Sequence, residues 1–376
     1  MEFEYCLPVD LIFGAGKAAL LGEQTARYGK RALIVTGRSS AKKSGLLARA
    51  EKLLASAGVR TFLFDRVLPN PLSTTAAEGA QLAKQEHCAA VVALGGGSIM
   101  DCAKAIAFLA CNEGGAFDYI YGRKTGTRSL PIVAVPTTCG TGSEGNCFAV
   151  LTDPETNDKK ALKALCNTPS VSIIDPELMT TMPRGVLASV GFDALCHSME
   201  AYLSRKAYPL VEVLALYAIG LTGGNLAGVY RDPSDLEGWA RLSLASTLGG
   251  MVIQMSGVTA PHGLEHPVSG LRNIVHGRGL AALTPVIYGR TIGSAPEKFR
   301  RISQQLGGSD ENDLVDTLYA LLDRIDLRTT LGAEGVKPED IGWLAENCLR
   351  VSKPSLDGYP CPFTREEIRE LYREAM

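Results

Sequence analysis

The first half of the chain alternates short apolar runs, closed by glycine or hydroxyl-rich loops, with stretches at helical spacing, and this alternation limits the fold more than any other feature. Arg31–Gly37 is one such run; helical spacing over Lys42 to Ala57 follows, then a second strand at Val59–Phe64. The unit recurs as helix Thr74–Glu86 with strand Ala89–Leu94, and as helix Asp101–Ala110 with strand Ile132–Val135. Strand, helix, strand units build parallel sheets with helices on both faces, and such sheets bind ligands beyond the carboxyl ends of their strands. Residues 1–13, alternating through Phe3, Tyr5 and Leu7, predict an opening strand or hairpin at an edge.

From Pro183 onward the strand-like runs give way to long amphipathic segments: Gly185–Ser204, Pro209–Ala227, Asp235–Met255, Gly277–Gly289, Pro296–Leu306, Glu311–Leu322, Asp340–Val351 and Thr364–Ala375. Several open with a cap or first-turn signal, such as Ser234 before Asp235 or Pro338 before Glu339 and Asp340. The expectation is an α/β domain over residues 1–182 and an all-helical domain over residues 183–376.

Three loops at strand ends have the chemistry of a dinucleotide site. Gly95-Gly96-Gly97-Ser98 lies between a strand and a helix, where small residues let the backbone approach a pyrophosphate and helix amides face it. Pro136 to Glu144 is rich in hydroxyls and glycine, more so than a plain turn needs. The third loop is Thr36-Gly37-Arg38-Ser39-Ser40, after the strand where an adenosine ribose lies in such folds. An acid there bonds a ribose 2′-hydroxyl, whereas Gly37, Arg38 and Ser39 leave room for a 2′-phosphate, so NADP is expected ahead of NAD.

Four of the five histidines fall between Asp193 and His276. Asp193 and His197 are spaced i, i+4, as are His262 and His266, and a helix places such pairs on one face, about 5–6 Å apart at Cβ. His276 follows ten residues after His266. Imidazole nitrogens with a carboxylate oxygen suit a divalent first-row metal such as Fe(II) or Zn(II). A lone histidine is more often an ordinary core or surface residue; this clustering favours a metal site, facing the first domain across a cleft.

Composition narrows the partners. A net charge of −2 and a pI near 6.3 supply no basic field for nucleic acid or an anionic membrane. No run reaches about 18 uninterrupted apolar residues, and the opening lacks the basic and apolar regions of a signal peptide, so a cytoplasmic protein is expected. The ten cysteines, with no Cys-x-x-Cys pair, are expected as free thiols.

Taken together, Gly95 to Asp101, Pro136 to Glu144, Asp175 to Leu178, Gly191 to His197, and His262 and His266 followed by His276-Gly277 resemble the iron-activated, or group III, alcohol dehydrogenases. The resemblance runs from Phe13 to Phe363. It implies a Rossmann-like amino-terminal domain, an all-helical carboxyl-terminal domain in a dehydroquinate synthase-like arrangement, and a homodimer or larger assembly. It further implies Asp193, His197, His262 and His276 as metal ligands, and His266 as a non-ligand proton relay or positioning group. On the cofactor side it implies Gly96, Gly97 and Ser98 at the pyrophosphate with Asp101 close by, and Thr137, Thr138 and Thr141 around ribose and nicotinamide. Asn70 would lie beside the adenosine half, and Lys159 or Lys160 would bind ribose.

The expected reaction is hydride transfer between a nicotinamide and a small primary alcohol or aldehyde, with reduction the favoured direction. A glycerol dehydrogenase-like polyol oxidoreductase, a dehydroquinate synthase-like enzyme and a non-catalytic nucleotide sensor are the alternatives. Departures from the pattern are Cys139 where alanine is usual, Gly145-Asn146, Glu265 between the paired histidines, and Gly37 where NAD users often carry aspartate. Phe148, Leu187, Met251, Gln254 and Met255 are candidate substrate-pocket residues, and all could equally be core.

Overall fold

The computed structural model describes residues 2–376. Six parallel strands form the main sheet: β1 (Asp10–Phe13), β2 (Arg31–Gly37), β3 (Arg60–Val67), β4 (Ala90–Gly95), β5 (Ile132–Pro136) and β8 (Val171–Ile174). Their spatial order is β1-β8-β5-β4-β2-β3. Two further strands, β6 (Phe148–Thr152) and β7 (Lys159–Lys163), form a separate antiparallel hairpin with Val150 opposite Ala161.

The middle of the sheet is covered on both faces. Along β2, Leu33 and Val35 join one apolar cluster while Ala32 and Ile34 join the other, and β4 divides Val91 and Ala93 from Ala90 and Val92 in the same way. That is the period of two expected for a strand whose neighbours are helices above and below. Leu33, Ile34 and Val35 are fully buried, which contributes roughly 1.5–3 kcal/mol for each side chain.

The carboxyl-terminal half is helical and shares one large core that includes Trp239, Tyr288, Phe299 and Tyr359. Helix Pro209–Arg231 is long and apolar enough by composition to cross a membrane, and it packs along Arg184–Leu203 and Leu236–Ser256 within the helical half.

Of the two readings of the opening segment, the edge strand holds: β1 pairs parallel with β8, Ile12 opposite Ile173. The helix expected over Lys42–Ala57 is two, Ser40–Lys43 and Leu46–Ser56, separated where Gly45 adopts a φ of 75°. Spacing in the sequence does not announce the hairpin β6–β7, strand β8 or helix Ala260–Arg272, which carries Pro261 in its first turn and Pro267 in its interior. Proline at the start of a helix costs nothing, because those amides have no partner; an interior proline argues against a helix that tertiary packing here retains.

The halves are clamped at the tip of the hairpin. Asp158, 1% exposed, receives two bonds from Arg350, at 2.9 and 2.6 Å, and one from Asn347 at 2.9 Å, and Tyr121 donates its hydroxyl to the same carboxylate.

Candidate metal centre and cofactor crevice

Three helices deliver the histidine cluster. Arg184–Leu203 carries Asp193 and His197 one turn apart, Ala260–Arg272 carries His262 and His266 one turn apart, and His276 opens His276–Thr291. Asn273 ends the second helix with a left-handed φ of 50°, a conformation asparagine tolerates better than most residues. The reversal there brings His276 back over His262, their ring centroids 5.0 Å apart.

The outcome is one oxygen faced by three imidazole nitrogens. Asp193 Oδ1 lies 3.3 Å from His262 Nε2, 3.6 Å from His197 Nε2 and 3.7 Å from His276 Nε2. Neither Asp193 Oδ1 nor His262 Nε2 has a hydrogen-bond partner, although both are buried. Leaving such atoms unpaired costs about 1–3 kcal/mol each. A divalent cation among these donors would offset that cost, and one carboxylate with three imidazoles is a donor set that fits Fe(II) or Zn(II).

Two further carboxylates stand behind the cluster. Glu200 Oε1 lies 2.5 Å from His262 Nδ1, while its Oε2 accepts from Thr259 N at 2.6 Å. A proton held on Nδ1 by Glu200 would leave the Nε2 lone pair to a bound metal, the usual device by which an outer carboxylate sets a ligand histidine. Glu265 Oε2 stands against His276 Nδ1 in the same manner, as a close charge contact without the hydrogen-bond geometry of the first pair.

Charges in the cluster shift in opposite directions. Burial pushes the Asp193 carboxyl up, but His197, His262 and His276 outweigh it and hold the group well below the usual carboxylate range. Burial lowers His197 to about 4 against the pull of Asp193. For His262 burial acts the same way, yet Glu200 and Asp193 overcome it and raise the imidazolium to about 10. His266 is held well below the ordinary histidine value by burial, then by Lys159 and the neighbouring histidines. Its ring, half-buried, lies 5.7 Å from His262 and 5.6 Å from His276, outside the set of nitrogens that faces Asp193.

The chain reverses direction across the sheet between β2 and β4, the position at which doubly wound sheets open a crevice. Gly37, Arg38 and Ser39 border it on one side, with Arg38 and Ser39 exposed, and Gly96, Gly97 and Ser98 border it on the other. The threonine loop packs directly on these glycines. A Cβ at Gly96 would lie 2.8 Å from Thr138 Oγ1, and one at Gly97 2.2 Å from Thr141 Cγ2, so only glycine fits either position. Thr137 is fixed beside them by the hydrogen bond its backbone N–H donates to Gly95 O at 3.1 Å.

Asp101 lies one turn into the helix that Gly97 opens, and its carboxylate is buried, accepting from Ser143 Oγ at 2.6 Å and Val150 N at 3.1 Å. The two lysines separate. Lys159 is buried and donates to Asn70 Oδ1 at 3.0 Å, whereas Lys160 lies over the Tyr121 ring at 5.2 Å. Asn70, also left-handed at a φ of 50°, reaches across to Asn273 Oδ1 at 2.9 Å and so joins the crevice to the histidine cluster.

Comparisons with known proteins cover both halves of the chain. The family description "Iron-containing alcohol dehydrogenase" matches residues 8–176, and "Fe-containing alcohol dehydrogenase family, C-terminal" matches residues 187–376. The chain belongs to the iron-containing alcohol dehydrogenases. A 1,3-propanediol dehydrogenase of Citrobacter freundii is 34% identical, over 99% of this chain and 98% of its own. An NAD-dependent methanol dehydrogenase of Bacillus methanolicus is 32% identical, over 99% of each. The crystal structure of an archaeal halo-thermophilic alcohol dehydrogenase from a Red Sea brine pool superposes with a TM-score of 0.96 at 34% identity, covering 100% of this chain and 99% of that one.

Within this dehydrogenase, several residues matter that spacing alone does not single out. Glu200 lies one turn beyond His197 and reads as part of a helix face; only the packing of Ala260–Arg272 reveals its role. Lys104, fully buried, donates to Ser143 O and Oγ, Asn146 Oδ1 and Phe148 O, and so holds the loop that carries the threonines. Cys139 is buried, and burial pushes its thiol up to about 12, which leaves no thiolate at neutral pH. Among the pocket candidates, Leu187 is a core residue, and Gln254 bonds Cys147 N at 2.7 Å and Cys6 O at 3.0 Å. All ten cysteines are free.

Proposed function

We propose that this dehydrogenase interconverts a small primary alcohol and its aldehyde, with Fe(II), or Zn(II), held by Asp193, His197, His262 and His276. The observation that carries the reading is the convergence of three imidazole nitrogens on the unpartnered Asp193 Oδ1, beside a crevice lined by Gly96, Gly97 and the threonine loop. When bound, the cation polarises the substrate oxygen and the nicotinamide supplies or accepts the hydride. In the oxidative direction the alcohol loses a hydride and a proton, and the aldehyde, the reduced cofactor and H⁺ result.

The chain's own residues bind, orient and handle the proton. Glu200 and Glu265 hold Nδ1 of His262 and His276, so that each Nε2 faces Asp193. Ser98 with Gly96 and Gly97 receives the pyrophosphate at the start of helix Gly97–Cys111, while Thr137, Thr138 and Thr141 surround ribose and nicotinamide. Lys159 and Asn70 approach from the far side. His266, kept neutral and half-buried at the rim, takes the hydroxyl proton on a ring nitrogen and passes it outward.

NADP is the cofactor we favour. Gly37 ends β2 without a side chain, and Arg38 and Ser39 are exposed beside it, with Arg38 free of ion pairs among the described residues. The B. methanolicus relative is named as NAD-dependent, so the NADP reading rests on these three residues alone. The same reading includes reduction as the cellular direction, a cytoplasmic enzyme, and a division of the chain at residues 182 and 183, where Pro183 precedes the first long helix. A homodimer or larger assembly belongs to it too, supported by the open β1 edge with Leu11 and Phe13 exposed.

The test is oxygen-free purification, chelation, and nicotinamide absorbance with NADPH or NADH against short aldehydes as ferrous iron or zinc is restored. Activity that returns with metal and prefers NADPH is the expected result. Activity indifferent to chelation, and unchanged in His262→Ala, overturns the metal reading; a preference for NADH overturns the cofactor reading alone.

A further inference from the structure

The most unusual residue of the cluster is Glu265. It is completely buried between the two histidines of its own helix, and its carboxylate has three neighbours drawn from three elements. His276 Nδ1 contacts Oε2, Ser269 Oγ donates to Oε1, and Lys159 Nζ stands 3.9 Å from Oε2. A place is built for it on the neighbouring helix. Gly279, less than one turn beyond His276, would with a Cβ come within 2.8 Å of both Glu265 Cγ and Oε1.

His276 needs such a partner more than the other ligands do. His197 and His262 sit within helices and are almost fully buried, their rings stacked 4.5 Å apart. His276 stands at the first position of its helix, and its side chain is 23% exposed.

Resting on the metal reading above, we propose that Glu265 is a positioning residue for the metal site. It holds His276 through Nδ1 so that Nε2 faces Asp193, and through Lys159 and Asn70 it joins that ligand to the dinucleotide crevice. Glu265, His266 and His276 also bring donor atoms within 4.8 Å of one another, which raises a second cation position as the rival assignment. The turning of His276 Nε2 toward Asp193 argues against it, because the same imidazole would then have to bridge two ions.

The experiment is a Co(II) titration of the metal-stripped full chain, followed by visible absorption, with a thermal melt of every variant. Wild type is compared with Glu265→Gln, which keeps the shape and a hydrogen-bond acceptor, with Glu265→Leu, and with Glu200→Gln as the reference for an orienting carboxylate. The expected result is one Co(II) per chain in wild type, and affinity weakened about tenfold in Glu265→Gln and about a hundredfold in Glu265→Leu, the range typical of outer partners of metal ligands. The isosteric Gln variant keeps the test valid even where the Leu variant folds poorly. Affinity within twofold of wild type in Glu265→Gln and any folded Glu265→Leu overturns the proposal. So does uptake of two Co(II) by wild type and one by Glu265→Leu, which makes the trio a metal site of its own. No uptake by wild type removes the metal reading itself and the role of Glu265 with it.

Discussion

Lys104 Nζ lies 2.6 Å from both the carbonyl and the hydroxyl oxygen of Ser143, and Ser143 Oγ in turn lies 2.6 Å from Asp101 Oδ1. A buried cation thus holds the base of the cofactor loop and offsets a buried anion at the same time. Lys104→Met removes a cation that favours the Asp101 carboxylate and leaves four acceptors, Ser143 O and Oγ, Asn146 Oδ1 and Phe148 O, without their donor. A buried acceptor left unpaired costs about 1–3 kcal/mol. Thermal melts should show a large fall in Tm, and dinucleotide fluorescence titration a weakened cofactor; an unchanged melt would refute the role.

The metal reading makes a stability prediction that needs no turnover. A ligand that binds only the folded chain, at a hundred times its Kd, adds about 2.7 kcal/mol of stability. Zinc added to the stripped wild type should therefore raise Tm by several degrees, and added to His262→Ala should leave it unmoved. Equal shifts in both proteins would place the bound ion elsewhere.

How far the residues announce this arrangement depends on which force fixes each part. Strands β2 and β4 are legible because burial on both faces leaves an uninterrupted apolar run, and Asp193 and His197 because a helix fixes their spacing. Strand β7, Lys159–Lys163, is not legible: it pairs only with β6, and three of its five residues are lysines. Helix Ala260–Arg272 is concealed by Pro267. Glu200 and Glu265 have no local signal, because their partners arrive from helices brought together by tertiary packing, and the turn at Asn273 that aligns His276 is equally a product of the assembled core.

Position 37 offers a direct test of cofactor choice. A Cβ there would meet Ile99 Cδ1 at 3.5 Å and Val67 O at 3.6 Å, ordinary contact distances, so a side chain can be added without strain. Gly37→Asp places a carboxylate where a 2′-phosphate would lie, and hydrogen-bonds a 2′-hydroxyl instead. The ratio of kcat/KM for NADPH over NADH should fall by at least about tenfold, equivalent to 1.4 kcal/mol of discrimination. A ratio that does not move would separate this loop from cofactor choice.

Cys139 lies in the same loop as the threonines that border the crevice. Its buried thiol, held near 12, gives no nucleophile at neutral pH. Cys139→Ala should retain kcat and KM within about twofold and lose no more than about 1 kcal/mol of stability, as expected for removing one small buried atom. Sensitivity to alkylating reagents should be the same in variant and wild type. Protection by the substitution would show that the thiol is reached and reacts.

Asp158 and Arg350 supply a pH dependence whose sign can be worked out. Burial pushes the Asp158 carboxyl up, but the bonds from Arg350, Tyr121 and Asn347 prevail and hold it below its ordinary value. The unfolded chain, with an aspartate near 3.9, therefore binds the proton more readily than the folded one. The clamp contributes fully above about pH 4 and is lost as pH falls through the lower, folded value. Arg350 is 57% exposed, so solvent screens its part, and Arg350→Ala should cost about 2 kcal/mol at neutral pH, below the range for a fully buried pair. Urea unfolding of wild type and Arg350→Ala from pH 7 down to pH 3 should show the difference shrink through the acid range. In an Asp158→Asn background, where no carboxylate remains to titrate, the Arg350 substitution should show a small cost with no such slope, and a difference constant with pH in the wild-type background would remove Asp158 as its source.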